Sequence, residues 1–196
     1  MADDHAGKRV DGEQCVETDT SNDGNIVLVG PMGVGKTTVG KMLAKLLSKQ
    51  FIDCDLELER RTGVSVTTIF EIEGEDGFRR RESALLAEVA ARTNHVIATG
   101  GGVVMREENH EILRRAGRVI YLTAPVRKLL RRTRNNRNRP LLNTADPKAT
   151  LEELMQIRDP LYRQVAELVL KVDDRSPDIL AHRIVKEMQQ PGRQET

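Results

Sequence analysis

The chain has 196 residues, a formal net charge of +1, two tyrosines, three phenylalanines and no tryptophan. A near-neutral balance removes any global electrostatic case for a nucleic-acid or membrane partner, and so few rings argue against recognition by base stacking. The length suits one domain with a sizeable core, and the two cysteines, Cys15 and Cys54, are too few for a disulfide scaffold.

No apolar run reaches membrane-spanning length and no apolar leader opens the sequence, so a cytoplasmic setting is expected. Residues 1–24 are polar, acidic on balance and without apolar periodicity, which reads as a disordered tail. His5 and Cys15 in it read as solvated bystanders.

Ile26-Val27-Leu28-Val29 reads as a buried strand that stops at Gly30. Gly30, Gly35, Lys36 and Thr37 then fit G-x-x-x-x-G-K-[ST] in a strand–loop–helix setting. Gly33 and Gly35 let backbone N–H groups approach phosphate oxygens, and the helix N-terminus adds positive partial charge. Lys36 can reach the β- and γ-phosphates, and the Thr37 hydroxyl is placed to ligate Mg²⁺. A nucleoside triphosphate ligand follows. The next helix carries Val39, Met42, Leu43, Leu46 and Leu47 on its expected core face.

Phe51-Ile52-Asp53-Cys54-Asp55 reads as a strand ending in two carboxylates at the carboxyl edge of a parallel sheet, where α/β ligands bind. One acid would sit near Mg²⁺ and the other would take a proton or hydrogen bond from a substrate hydroxyl. A helix N-cap explains the same residues, and local pattern leaves both open. Residues 56–92 read as helical, with breaks at Thr62-Gly63 and at Gly74 to Gly77. Arg79, Arg80 and Arg81 point around the last helix. One could reach an anionic group while Glu82 orients Arg79; a solvated basic face is the blander reading and the one local pattern favours.

His95 to Ala98 forms a second buried strand leading to Thr99, Gly100, Gly101 and Gly102, where close ligand contact is expected. His95, His110 and His182 read as structural or surface residues. Arg118 to Leu122 reads as another strand, with Pro125 in the first turn of the helix behind it. Seven basic residues and no acid follow between Arg127 and Arg139. They read as a solvated or RNA-binding patch, or as a lid closing over phosphates. Residues 150–166 are helical, Leu168 to Leu170 make a last strand, and Ser176-Pro177 caps a closing helix. Residues 191–196 should fray.

Taken together these motifs resemble the shikimate kinases, of the nucleoside-monophosphate-kinase-like group of phosphate-loop proteins. The residues that carry the resemblance are the loop from Gly30 to Gly40, Asp53-Cys54-Asp55, Ile69-Phe70, Gly74-Glu75, Phe78-Arg79-Arg80-Arg81-Glu82, Gly100-Gly101-Gly102, Arg139-Pro140-Leu141-Leu142 and Arg158-Asp159-Pro160-Leu161-Tyr162. The resemblance covers about residues 25–189. It implies a three-layer α/β phosphate-loop kinase fold, with a five-stranded parallel sheet, helices on both faces and a mobile lid at about residues 132–147, in a domain spanning 25–190. It implies transfer of the ATP γ-phosphate to the shikimate 3-hydroxyl, on the route to chorismate and aromatic amino acids, with Mg²⁺ as cofactor.

The roles it implies are these. Gly33, Val34, Gly35, Lys36, Thr37 and Thr38 hold the ATP phosphates, with Lys36 catalytic. Thr37 binds Mg²⁺ with help from Asp53 through water. Asp55 holds substrate hydroxyls and is the candidate base. Arg79 and Arg158 clamp the shikimate carboxylate, Gly101 contacts shikimate by backbone, Arg139 is the lid arginine at the phosphates, and Arg175 lies near the adenine. A monomer acting on small molecules alone is expected. A gluconate kinase and a non-catalytic nucleotide-binding protein of the same fold are the rival readings.

Overall fold

The computed structural model describes residues 24–133, 140–142, 144–173 and 176–189. Residues 1–23 of the expected tail with Cys15, residues 134–139 with Arg139 and residue 143 of the expected lid, Arg175, and the expected frayed end 191–196 lie outside them. Five parallel strands form one sheet in the order β2-β3-β1-β4-β5: β1 Asn25–Val29, β2 Gln50–Asp53, β3 His95–Ala98, β4 Gly117–Thr123 and β5 Leu168–Lys171. β1 is central and buried along its whole length. Successive side chains of a strand point to opposite faces. Ile26 and Leu28 accordingly enter one core with Leu43, Ile120 and Ile184, while Val27 and Val29 enter the other with Leu86, Ile97 and Tyr121. This covering of both faces is the three-layer arrangement expected.

Helices α1 Lys36–Leu46, α5 Val126–Thr133 and α7 Pro177–Met188 supply the first core; α2 Cys54–Thr62, α3 Val66–Ala90 and α4 Glu107–Ala116 supply the second. α6, Pro147–Val165, belongs to both, with Leu151 in the first and Tyr162 and Val165 in the second. It therefore crosses from one layer to the other and carries Arg158 between them. α3 is broken at Gly74 (φ 70°, ψ 179°), which divides it where the sequence suggests.

Some expectations shift. α1 buries Val39 and Leu43 as expected, but Met42 and Leu46 are exposed and Gly40 and Ala44 are buried in their place. The reason is close approach: a Cβ on Gly40 would stand 2.5 Å from the Phe51 ring, so the narrow side of the helix faces inward. Pro125 precedes α5, its carbonyl accepting from the N–H groups of Lys128 and Leu129. α6 starts three residues before the expected position because Asp146 accepts from the N–H groups of Lys148 and Ala149 and Pro147 opens the helix. Arg132 and Thr133, at the front of the expected lid, close α5. Among the described residues no helix is long and apolar enough to cross a membrane.

Asn25 ties the start of β1 to the turn before β3. Its buried side chain accepts from the His95 N–H at 2.9 Å and donates to the Arg92 carbonyl at 2.6 Å. Asn25→Ala should lower stability by about 2–3 kcal/mol, since it removes both bonds and leaves the His95 N–H unpaired. Urea denaturation measures this; a midpoint equal to the parent's would contradict it.

Candidate active site

The sheet reverses its winding direction at β1, and two cavities among the described residues open beside the carboxyl ends of β1 and β3. The first, of about 380 Å³, is built on the turn after β1. Gly33 (φ 77°) and Gly35 (φ 107°) adopt backbone conformations that L side chains rarely take, which turns the loop around the head of α1. Lys36 is the first residue of that helix, and its ammonium lies over the loop, donating to the carbonyls of Gly30 at 2.6 Å and Pro31 at 3.1 Å. Thr37 Oγ1 donates to Asp53 Oδ2 at 2.6 Å. The other Asp53 oxygen accepts from the N–H groups of Asp55 (3.1 Å) and Leu56 (3.3 Å), capping α2. The helix-cap reading of Asp53 therefore holds, and the same carboxylate also takes the Thr37 hydroxyl. β2 ends there, so Asp55 stands in the first turn of α2 and not on the strand.

The second cavity, of about 180 Å³, has Asp55, Arg79, Glu82, Arg158 and the three glycines after β3 on its walls, with Phe70 and Phe78 on an apolar side. Asp55 lines both cavities. Arg79, Glu82 and Arg158 are only 6%, 4% and 4% exposed, so the cavity sets three buried charges side by side. Arg79 Nη1 donates to Glu82 Oε2 at 2.7 Å and Nη2 to Glu75 Oε1 at 2.9 Å. Its guanidinium also lies 5.2 Å from the Phe78 ring centre. Burial pushes the Glu82 carboxyl above its ordinary value, against the pull of Arg79. Burial alone would lower Arg79, but Glu82 and Glu75 outweigh it and hold its pKa above the usual value.

Arg158 differs. Among the described residues it has no carboxylate partner within ion-pair distance; Nη1 donates to the Gly101 carbonyl at 3.2 Å. Burial, with the like charge of Arg79 adding to it, disfavours its cation. Buried polar atoms normally find a partner. Here Nε of Arg79, Nε of Arg158 and Oε1 of Glu82 find none among the described residues. Two buried guanidiniums with unused donors at one end of a small cavity make a receptor for a planar anion, a carboxylate above all.

The glycines serve this packing. A Cβ on Gly102 would overlap the Arg79 guanidinium, and one on Gly100 would overlap Glu82 Oε1 and stand 2.9 Å from Asp55 Oδ1. Arg80 and Arg81 point outward to Asp76 and Glu73, so of the three arginines Arg79 alone enters the cavity.

A family model for shikimate kinase matches residues 32–189. The chain belongs to the shikimate kinase family. It is 57% identical over 149 residues to a shikimate kinase of Thioalkalivibrio sulfidiphilus, covering 76% of this chain and 78% of that one. It is 52% identical over 170 residues to one of Nitrosospira multiformis, covering 87% of each. A solved shikimate kinase from Acinetobacter baumannii in complex with shikimate superposes with a TM-score of 0.84 at 47% identity, covering 85% of this chain and 93% of that one. The protein is accordingly an enzyme, a kinase of aromatic amino acid biosynthesis whose family phosphorylates shikimate with ATP.

Gly33, Val34, Gly35, Lys36, Thr37, Thr38 and Asp53 meet in the first cavity of this shikimate kinase; Arg79, Gly101 and Arg158 meet in the second. Three contributors have no role assigned from the sequence. Arg132 Nη1 donates to the Val34 carbonyl at 3.0 Å and lines the first cavity, its signal diluted in a run of basic residues. Glu75, half-exposed, is a second carboxylate on Arg79. Tyr162 donates its hydroxyl to Gly101, whose carbonyl is thereby occupied from within the protein. Cys54, between the two acids, is buried with its thiol pushed well above the ordinary value by burial and then by Asp55 and Asp53, which makes it a packing residue.

Gly102→Ala should misplace Arg79, which cannot retreat from two carboxylates. A rise in shikimate KM of roughly tenfold or more is expected, with a smaller change in kcat. Steady-state kinetics measures it, and an unchanged KM would contradict the packing.

Proposed function

We propose that this enzyme transfers the γ-phosphate of ATP to the 3-hydroxyl of shikimate, with ATP in the larger cavity and shikimate in the smaller. The observation that carries the reading is Asp55, one carboxylate on the wall of both cavities. A bond forms between the 3-oxygen and the γ-phosphorus as the bond from that phosphorus to the β–γ bridging oxygen breaks. The hydroxyl proton passes to Asp55, and ADP leaves. Phosphoryl transfer demands mainly positioning and charge stabilisation, and the residues divide along those lines. Arg79 and Arg158 hold the carboxylate end of shikimate, Glu82 holds Arg79, and Asp55 holds the reacting end. The loop from Gly33 to Thr38 holds the phosphates. Lys36 leaves the carbonyls of Gly30 and Pro31 to follow the transferring charge.

The donors at the head of α1 fit Mg²⁺. Thr37 and Asp53 bring a hydroxyl and a carboxylate together, both hard oxygen ligands. Among the described residues no cluster of three or more His, Cys, Asp or Glu could cage a metal. That suits an ion held by one or two protein oxygens, water and substrate phosphates. When bound, Mg²⁺ neutralises charge on the β- and γ-phosphates. Arg139 at the phosphates, Arg175 near the adenine, a lid over residues 132–147 and a catalytic domain spanning 25–190 behind a tail complete the proposal by resemblance.

An ADP-release assay with Mg-ATP tests the reading against gluconate, quinate and nucleoside monophosphates. Release that depends on shikimate alone is expected; signal with another acceptor and none with shikimate would overturn the substrate. Asp55→Asn should keep ATP affinity and lose roughly 10²- to 10⁴-fold in kcat; normal turnover would remove Asp55 from the proton transfer. Arg79→Ala should chiefly weaken shikimate binding. Isothermal titration with an unchanged shikimate Kd would contradict its role.

A further inference from the structure

Arg158 is the less supported of the two guanidiniums, since a carbonyl holds it where Arg79 has two carboxylates. That carbonyl is itself held. Tyr162 lies four residues after Arg158 on α6, hence on the same face of the helix. Its hydroxyl donates to the Gly101 oxygen that also accepts from Arg158. A carbonyl has two lone pairs, so these donors fill it. Tyr162 is fully buried, and in an apolar setting a hydroxyl without a partner is costly. Burial also raises its pKa, which keeps it a donor.

The ring cannot swing away. It stacks on Tyr121, with ring centres 4.8 Å apart. The Tyr121 hydroxyl donates to Asp159 Oδ1 at 2.6 Å, and Asp159 Oδ2 accepts from Arg163 Nε at 2.7 Å. β4 thus grips α6 beside Arg158 on one side, and the glycine loop grips it on the other.

We propose that Tyr162 is a positioning residue for the acceptor: it fixes the Gly101 carbonyl, and through it the direction in which Arg158 meets the substrate carboxylate. This rests on the reading of Arg158 as a carboxylate ligand. Without the hydroxyl the carbonyl keeps one donor at 3.2 Å, and Arg158 loses its fixed reference. Substrate affinity should suffer while the phosphoryl-transfer end, held by Asp55 and the loop after β1, is unaffected.

The test is Tyr162→Phe in the full chain, which keeps the stacked ring, with Arg158→Ala, the double variant and Tyr121→Phe beside it. Steady-state kinetics for both substrates and thermal denaturation are measured on each. Tyr162→Phe should raise shikimate KM roughly two- to tenfold, the range of one hydrogen bond's net contribution, with kcat and the KM for ATP near the parent's. Added to Arg158→Ala it should raise KM no further, because the bond acts through Arg158. Tyr121→Phe keeps the Tyr162 bond and should lower the melting temperature with little change in shikimate KM. If Arg158→Ala leaves shikimate KM unchanged, the carboxylate reading itself fails. If it raises KM while Tyr162→Phe does not, if the two effects multiply, or if Tyr121→Phe raises KM as much, Tyr162 is a structural residue and the proposal is overturned.

Discussion

Two buried guanidiniums facing one cavity are the constraint around which this molecule is arranged. Removing a cation from water costs several kcal/mol even after relaxation, and two of like sign add their repulsion. The protein offsets only part of that. Glu82 and Glu75 answer Arg79, whereas Arg158 has a backbone carbonyl. In the proposed reaction an incoming carboxylate would satisfy the remaining deficit, and the site would select its acceptor by charge before any hydroxyl is recognised. Much of the surrounding sequence follows. The glycines after β3 leave room for Arg79 and Glu82, and α6 crosses between layers so that Arg158 reaches the same point from the other side.

The nucleotide end depends on a different economy of means. One aspartate, Asp53, caps α2 with one oxygen and takes the Thr37 hydroxyl with the other, so the end of β2 is locked to the head of α1. Asp55 follows two residues later, in the first turn of α2, on the wall common to both cavities. The spacing of the two acids therefore sets the distance from the Thr37–Asp53 corner to the wall that the two cavities share. A rigid link of this kind lets catalysis by positioning work with few groups.

The layered fold and the phosphate loop were legible because they rest on local signals: valine-rich runs, a glycine loop ahead of a helix, Ser176-Pro177 at a helix start. Asp53 could not be assigned from sequence, since one of its oxygens caps α2 while the other takes the Thr37 hydroxyl. Arg79 looked like part of a solvated face until the resemblance set it apart, because three adjacent arginines differ only in direction. Met42 and Leu46 misled for a related reason: small residues, Gly40 and Ala44, set the packed face of α1, and they carry little weight in a hydrophobic pattern. Gly101 lines the smaller cavity as its glycine run suggests, but the bonds of its carbonyl to Arg158 and Tyr162 were not legible. The bond to Tyr162 joins positions 61 residues apart, and no spacing rule announces it.

The central claim, that a pair of buried arginines chooses the acceptor by its carboxylate, is most directly tested by comparing shikimate with its uncharged primary carboxamide under saturating Mg-ATP. The two share ring and hydroxyls and differ only in the charge that Arg79 and Arg158 would meet. The account predicts that kcat/KM falls roughly 10²- to 10³-fold for the carboxamide, mainly through KM, as expected when a desolvated charge pair loses one partner. Comparable kcat/KM values for the two would contradict it.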